Sequence, residues 1–191
     1  MIKNKQFKPQ KKGDRLFIRA RLSYVHLDAP WAGNEGADKK YSVSCIVPKD
    51  DKETITFLEK EIEAAKAEGK TKKWGGVIPK KLSLPLRDGD EEKEDEAYKN
   101  SMFFSASSQQ PVKTFDRGTQ ECEPSKIYSG CWGIVSLKLF PYDAAGNKGI
   151  GAGLNQVMFW ADDDTLGGAS QGNDFEDIEG IDMDGEDLDD L

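Results

Sequence analysis

A mainly β fold is predicted, a small antiparallel barrel with one inserted α-helix. Three observations predict it: several segments alternate apolar and polar residues with period two, glycine-rich turns separate them, and only one segment has helical spacing. A chain of 191 residues allows one core-forming domain plus tails.

Residues 1–13 read as a flexible basic arm punctuated by Pro9 and Gly13. In DRLFIRARLSYVHLD, Leu16, Ile18, Ala20, Leu22 and Tyr24 fall on one face, and Arg15, Phe17, Arg19, Arg21 and Ser23 on the other. That alternation marks a half-buried strand. A turn-rich loop with Trp31 follows, then a second strand in KKYSVSCIVP, with Tyr41, Val43, Cys45 and Val47 inward and Ser42 and Ser44 outward. DDKETITFLEKEIEAAKAEG is the helix, capped by Asp50 and stopped by Gly69, with Ile55, Leu58, Ile62 and Ala65 on one side. KTKKWGGVIPKK is expected as an ordered basic loop, and LSLPL as at most a short edge strand, because Pro85 has no N–H for a ladder. RDGDEEKEDEAYKN is a charged excursion, SMFFSAS a third strand, and QQPVKTFDRGTQECEPS loop-like.

The best-defined hairpin joins CWGIVSLKLFPYD to GIGAGLNQVMFWAD through AAGNKG. Val135, Leu137 and Leu139 share one face of its first strand, and Trp132, Ser136, Lys138, Phe140 and Tyr142 share the other. Five strands with a helix after the second fit a five-stranded antiparallel OB-type barrel, with a β-sandwich as the competing pattern. The expected division is a basic arm over 1–13, an OB-type domain over 14–161 and a disordered acidic tail over 162–191.

Charge separates those regions. The first 21 residues carry eight Lys/Arg and one Asp, whereas residues 174–191 carry ten carboxylates and no base. All 27 basic residues lie in 1–161, beside 22 of the 35 acidic ones, so the body has a net charge of +5 within a chain of −8. Such asymmetry points to a polyanionic partner for the body. The basic N-terminus is followed by no apolar segment and is not a signal peptide. Three cysteines, Cys45, Cys122 and Cys131, are too few and too scattered for a disulfide scaffold, and a cytoplasmic setting is expected.

Enzyme chemistry has little support. His26 is the only histidine, no CxxC or HExxH occurs, and KGIGAGLN opens a strand where a phosphate loop opens a helix. The tail's DMDGED lacks calcium-loop spacing. No catalytic residue, metal or cofactor is expected. Single-strand nucleic-acid binding needs cations for phosphates and exposed aromatic faces for bases. Here the outward strand faces supply both, with Phe17, Trp132, Phe140 and Tyr142 for stacking and Arg15, Arg19, Arg21 and Lys138 for phosphates. Trp31, Lys72, Lys73, Trp74 and Lys148 could extend the groove, as could Lys80, Lys81, Lys113, Phe115 and Arg117.

IYSGCWG, NKGIGAGLN, then LGG and an acidic segment beginning DF give the chain a strong family likeness over residues 126–175. In these motifs it resembles a phage family of single-stranded-DNA-binding proteins with OB folds, formerly a domain of unknown function. KKYSVSCIVPK resembles the family's second strand more loosely. The resemblance implies largely sequence-independent binding to single-stranded DNA in phage replication or recombination, in the host cytoplasm.

Well-known bacterial and podovirus counterparts end their acidic tails in an aromatic residue. This chain ends Asp-Leu, with Phe175, Ile178, Ile181, Leu188 and Leu191 as apolar beads for partner proteins. The expected tail competes with DNA for the basic groove and recruits replication or recombination proteins once displaced. Duplex DNA and RNA remain open as ligands, and so does the oligomeric state, a dimer included. The alternative is an acidic interaction protein, a DNA mimic or adaptor without direct DNA affinity.

Overall fold

The computed structural model describes residues 7–167. These residues form nine strands: β1 (Gln10–Lys12), β2 (Arg15–Trp31), β3 (Lys40–Pro48), β4 (Arg87–Asp88), β5 (Ser101–Ser108), β6 (Lys113–Phe115), β7 (Glu121–Cys122), β8 (Trp132–Ala144) and β9 (Asn147–Ala161). The helices are α1 (Lys52–Lys72) and the single turn α2 (Gly89–Glu92).

Five strands close the barrel in the order β2-β3-β5-β9-β8 and back to β2. Four of the five pairings are antiparallel; the closure of β5 on β9, at Ser107 and Gly153, is parallel. The mainly β, OB-type reading holds, with that parallel seam as the departure from an all-antiparallel wall. Closure leaves the wall without free edges.

β2 closes the ring because it serves two partners. Residues 16–21 pair with β8, and the segment from Arg21 to Trp31 pairs with β3. Its inward side runs Leu16, Ile18, Ala20 and Leu22, all in the main core. The alternation breaks at Tyr24, expected inward: its φ is 45°, the register shifts between Ser23 and His26, and the ring is 56% exposed. A bulge of this kind flips the side-chain sequence and bends the strand.

Val43, Cys45 and Val47 of β3, Phe104 and Ala106 of β5, Val135 and Leu137 of β8, and Leu154 and Val157 of β9 complete the core. α1 plugs the barrel from below with Leu58, while Ile55 and Phe57 pack against the same cluster. Its N-cap is Asp51, one residue beyond the expected Asp50, and the Asp51 carboxylate accepts from the Thr54 N–H at 3.2 Å.

The helix also continues past Gly69, its expected end. The Trp74 indole lies so close over Gly69 that a Cβ there would come within 2.7 Å of the ring. A helical glycine costs about 1 kcal/mol relative to alanine; here it admits a buried tryptophan that joins Ala65 and Ile150 in a second apolar cluster.

The charged excursion is not a loose loop. It folds as β4, α2 and a 3₁₀ turn at Glu96–Tyr98, and lays Tyr98 against Ile46 of β3 and Phe103 of β5 on the outer side of the barrel. The Tyr98 hydroxyl meets the Ser44 hydroxyl at 3.0 Å, so Ser44, expected outward, is outward but buried. Lys49 holds the excursion through Asp88 at 2.8 Å and Asp90 at 2.7 Å. The loop-like 109–125 stretch contains β6 and β7, and β6 extends the sheet beside β9.

Both ends of the domain differ from expectation. In the basic arm, Gln10–Lys12 form a strand on β2, turned by Gly13 at φ 62°. The first acidic residues after the barrel pack back onto it. Tyr128 donates to Asp162 at 2.7 Å, and the Leu166 N–H donates to the Ser129 carbonyl at 2.8 Å.

Candidate nucleic-acid interface

Cross-strand neighbours share a face, and the register therefore defines one continuous outer surface. On it Arg21, Arg19 and Phe17 of β2 stand beside Trp132, Ile134 and Ser136 of β8. Ile134 and Ser136 in turn stand beside Met158 and Gln156 of β9, which neighbour Phe115 and Lys113 of β6. Further along β8, Lys138, Phe140 and Tyr142 oppose Gly153, Gly151 and Gly149. From Trp132 to Tyr142 the row covers ten strand steps, roughly 30 Å.

At the hairpin end, Phe140 and Tyr142 lie across the glycines opposite them. A Cβ at Gly151 would approach the Phe140 ring to 2.6 Å, and one at Gly149 the Tyr142 hydroxyl to 2.6 Å. The two rings are 6.5 Å apart and tilted by 56°. Phe140 is 41% exposed and Tyr142 half-buried, so this end offers aromatic surface to solvent. Lys138 is exposed and paired with Asp14 at 2.9 Å, and that hydrogen bond draws the Asp14 carboxyl below its ordinary value.

In the middle of the face lies a cavity of about 340 Å³ lined by Phe7, Gln10, Lys12, Phe17, Phe115, Thr119, Ile134, Ser136, Gln156, Val157 and Met158. Beyond it, Trp160 meets Phe7 edge-on at 5.9 Å and carries the Arg117 guanidinium 4.3 Å from its ring centre.

At the other end, two expected contact residues need correction. Trp132 is only 7% exposed and Arg19 only 4%. Arg19 lies 4.6 Å from the Trp132 ring centre and 3.7 Å from Asp51, so it serves the barrel wall and the helix start. Burial pulls its guanidinium below the ordinary value, with Asp51 opposing the shift. Trp132 Nε1 donates to Asp163 at 2.8 Å. Arg21, half-buried, donates to the Gly130 carbonyl at 3.0 Å and the Asp164 carbonyl at 2.9 Å. Alternation placed these side chains on the outer face; the returning acidic segment and α1 cover them there.

Trp74 is the third correction. It is 6% exposed, donates through Nε1 to the Tyr142 carbonyl at 3.1 Å, and props the Phe140–Tyr142 hairpin from behind. Lys72 is exposed and paired with Glu68 at 3.3 Å, Lys73 is the exposed helix cap, and Lys148 is half-buried at 3.9 Å from Asp143. Trp31 is 52% exposed and stacked on His26 with ring centres 4.7 Å apart. Arg15 is exposed at the start of β2. The tail residues Phe175, Ile178, Ile181, Leu188 and Leu191 lie outside the described residues.

The structure thus brings together Phe17, Phe115, Lys138, Phe140 and Tyr142 on one open surface. To these it adds Phe7, Gln10, Met158, Gln156 and Trp160, which sequence reasoning passed over. Met158 and Trp160 share the parity of Gln156 in NQVMFWA, a signal that was present in the alternation of that strand. Among the described residues no group of His, Cys, Asp or Glu is arranged to hold a metal ion, and no helix is long and apolar enough to cross a membrane.

A closed OB-type barrel with a cationic, aromatic outer face defines the class: a fold shared with phage single-stranded-DNA-binding proteins. More narrowly, the chain belongs to the family of the Enterobacter phage Enc34 ssDNA-binding protein, whose family model matches residues 16–188. The solved complex of the bacteriophage Enc34 protein with single-stranded DNA superimposes with a TM-score of 0.71 at 26% identity, covering 85% of this chain and 99% of that one. A further structure of the bacteriophage Enc34 single-stranded-DNA-binding protein gives 0.68 at 25% identity, over 91% and 98% of the two chains. Bacteriophage T7 gp2.5, a single-stranded-DNA-binding protein, shares the fold at a TM-score of 0.57 and 16% identity, over 84% and 97%. No protein of curated function matches the chain.

Proposed function

We propose that this protein binds single-stranded DNA, with little regard to sequence, along the outer face of β2, β8, β9 and β6. The observation that carries the reading is the row Lys138, Phe140 and Tyr142 continuing into the Phe17–Phe115 cavity, cationic and aromatic where an ordinary half-buried sheet would be hydrophilic. The 26% identical Enc34 protein, bound to single-stranded DNA in its own structure, supports it.

Exposed Phe140, half-buried Tyr142 and Phe17, and Trp31 at the end of β2 stack on bases. Arg15 and Lys138, with Lys72, Lys73 and Lys148 at the margins, neutralise phosphates. Arg19, Arg21, Trp132 and Trp74 shape the face from within. The role is non-enzymatic, in phage DNA replication or recombination in the host cytoplasm.

In the same reading the acidic tail competes with DNA for the cationic face and, once released, takes replication or recombination proteins on Phe175, Ile178, Ile181, Leu188 and Leu191. Tethering makes such competition effective, since covalent attachment holds the tail at roughly millimolar local concentration. The test is a titration of labelled single-stranded oligonucleotide with wild-type protein and with Phe140→Ala/Tyr142→Ala. The double variant should bind at least tenfold more weakly with an unchanged circular dichroism spectrum; equal binding would remove this face from the interface.

A further inference from the structure

We infer that the cavity between Phe17, Phe115 and Met158 is a subsite that takes one unstacked nucleobase of the bound strand, whatever its identity. The inference rests on the proposed single-strand binding and names what happens at the middle of that face.

The cavity's size and chemistry suit a nucleobase. At about 340 Å³ it has room for a planar heterocycle; small-molecule sites span roughly 300–1,000 Å³. Its side-chain walls are aromatic and aliphatic, from Phe17, Phe115, Ile134 and Met158. Apart from Lys12, its polar groups are neutral: the carboxamides of Gln10 and Gln156 and the hydroxyls of Ser136 and Thr119. Neither carboxamide is engaged by another side chain or backbone group among the described residues.

That choice of polar group bears on specificity. A carboxamide carries both a donor pair and an acceptor, and rotation exchanges them. Gln156, partly buried on β9, can meet the edge of any base, whereas a fixed acceptor or donor would select. Stacking on Phe17 and Phe115 is equally indifferent to sequence. The pocket therefore admits every base and rejects only the absence of one.

Position supports the assignment. Lys12 reaches the cavity wall, Lys113 neighbours Gln156, and Lys138 lies one alternate residue beyond Ser136, so phosphates on either side of the inserted base meet cations. The arm also crosses the cavity: β1 lies beside β2, yet Phe7 reaches Trp160 on β9, two strands away. Phe7 thereby roofs the pocket and closes over an inserted base.

The experiment uses the full-length protein and short oligothymidylates carrying iododeoxyuridine at single positions, crosslinked by light and mapped by mass spectrometry. Anisotropy titrations of Phe115→Ala and Gln156→Met accompany it. Crosslinks should fall on Phe17, Phe115 or Met158. Phe115→Ala should lower affinity about tenfold, in line with the ~1–3 kcal/mol of one stacked base. Gln156→Met should weaken binding several-fold for all four homopolymers alike. If wild-type protein binds and crosslinks only outside the cavity, the subsite is wrong while single-strand binding stands. If wild-type protein does not bind single strands at all, both fall.

Discussion

The guanidinium of Arg19 lies 4.6 Å from the centre of the Trp132 ring, and both side chains are almost wholly withdrawn from solvent. The pair ties β2 to β8 on the outer wall and links that wall to the start of α1 through Asp51. Trp132 is thereby a structural residue at the end of the interface rather than a free stacking platform.

Trp132→Ala should consequently cost stability first. Truncating a buried tryptophan loses about 3–5 kcal/mol, and here it also uncovers Arg19. Urea denaturation should show a loss in that range. A change below about 1 kcal/mol, the range of typical surface substitutions, would mean that Trp132 is not held as described.

Phe140→Ala should behave in the opposite way. The ring is 41% exposed and rests on Gly151, so stability should change by less than about 1 kcal/mol. Single-strand affinity should fall roughly five- to 150-fold, because a stacked base contributes ~1–3 kcal/mol. Parallel denaturation and anisotropy measurements separate the two residues.

Thiol labelling tests the barrel interior. Burial raises the thiols of Cys45 and Cys131, the latter to about 11, while Cys122 on β7 is partly accessible. A thiol reagent at neutral pH should therefore modify one cysteine per native chain, Cys122, and all three after denaturation. Rapid native labelling of Cys45 would contradict the closed wall.

The excursion packed on Ile46 should loosen in acid. Hydrogen bonds from Lys49 hold the Asp88 and Asp90 carboxyls below their ordinary 3.8. A lowered carboxyl stabilises the folded state fully above its unfolded value and loses that contribution as pH falls through its folded value. Melting temperature should thus fall more steeply below pH 3.8 than in a Lys49→Met variant. Identical slopes would show that the Lys49 cluster does not anchor the excursion.

Much of the barrel was legible because its inward residues alternate without interruption. Leu16 to Leu22, Val43 to Val47 and Val135 to Leu139 needed only the strand period. Tyr24 was misplaced because a bulge reverses the alternation, and nothing in RLSYVHL announces it. β6 and β7, of three and two residues, are too short to carry a pattern.

The site was legible by face and illegible by cover. Period two puts Arg19, Arg21 and Trp132 on the outside correctly. It is silent on the acidic segment that returns to Trp132 and Arg21, and on the helix start that takes Arg19. Phe7 was hidden for a related reason, since its partner Trp160 lies at the far end of the domain in sequence.

The measurement to make is an anisotropy titration of labelled single-stranded and duplex oligonucleotides with the full-length protein and with residues 1–173, at several salt concentrations. Single strands should bind more tightly than duplex, affinity should fall with added salt as counterions are released, and removal of the tail should strengthen binding at low salt. Unchanged affinity without the tail would end the competition proposal alone. Absence of single-strand binding by both proteins at low salt would contradict the assignment of this face.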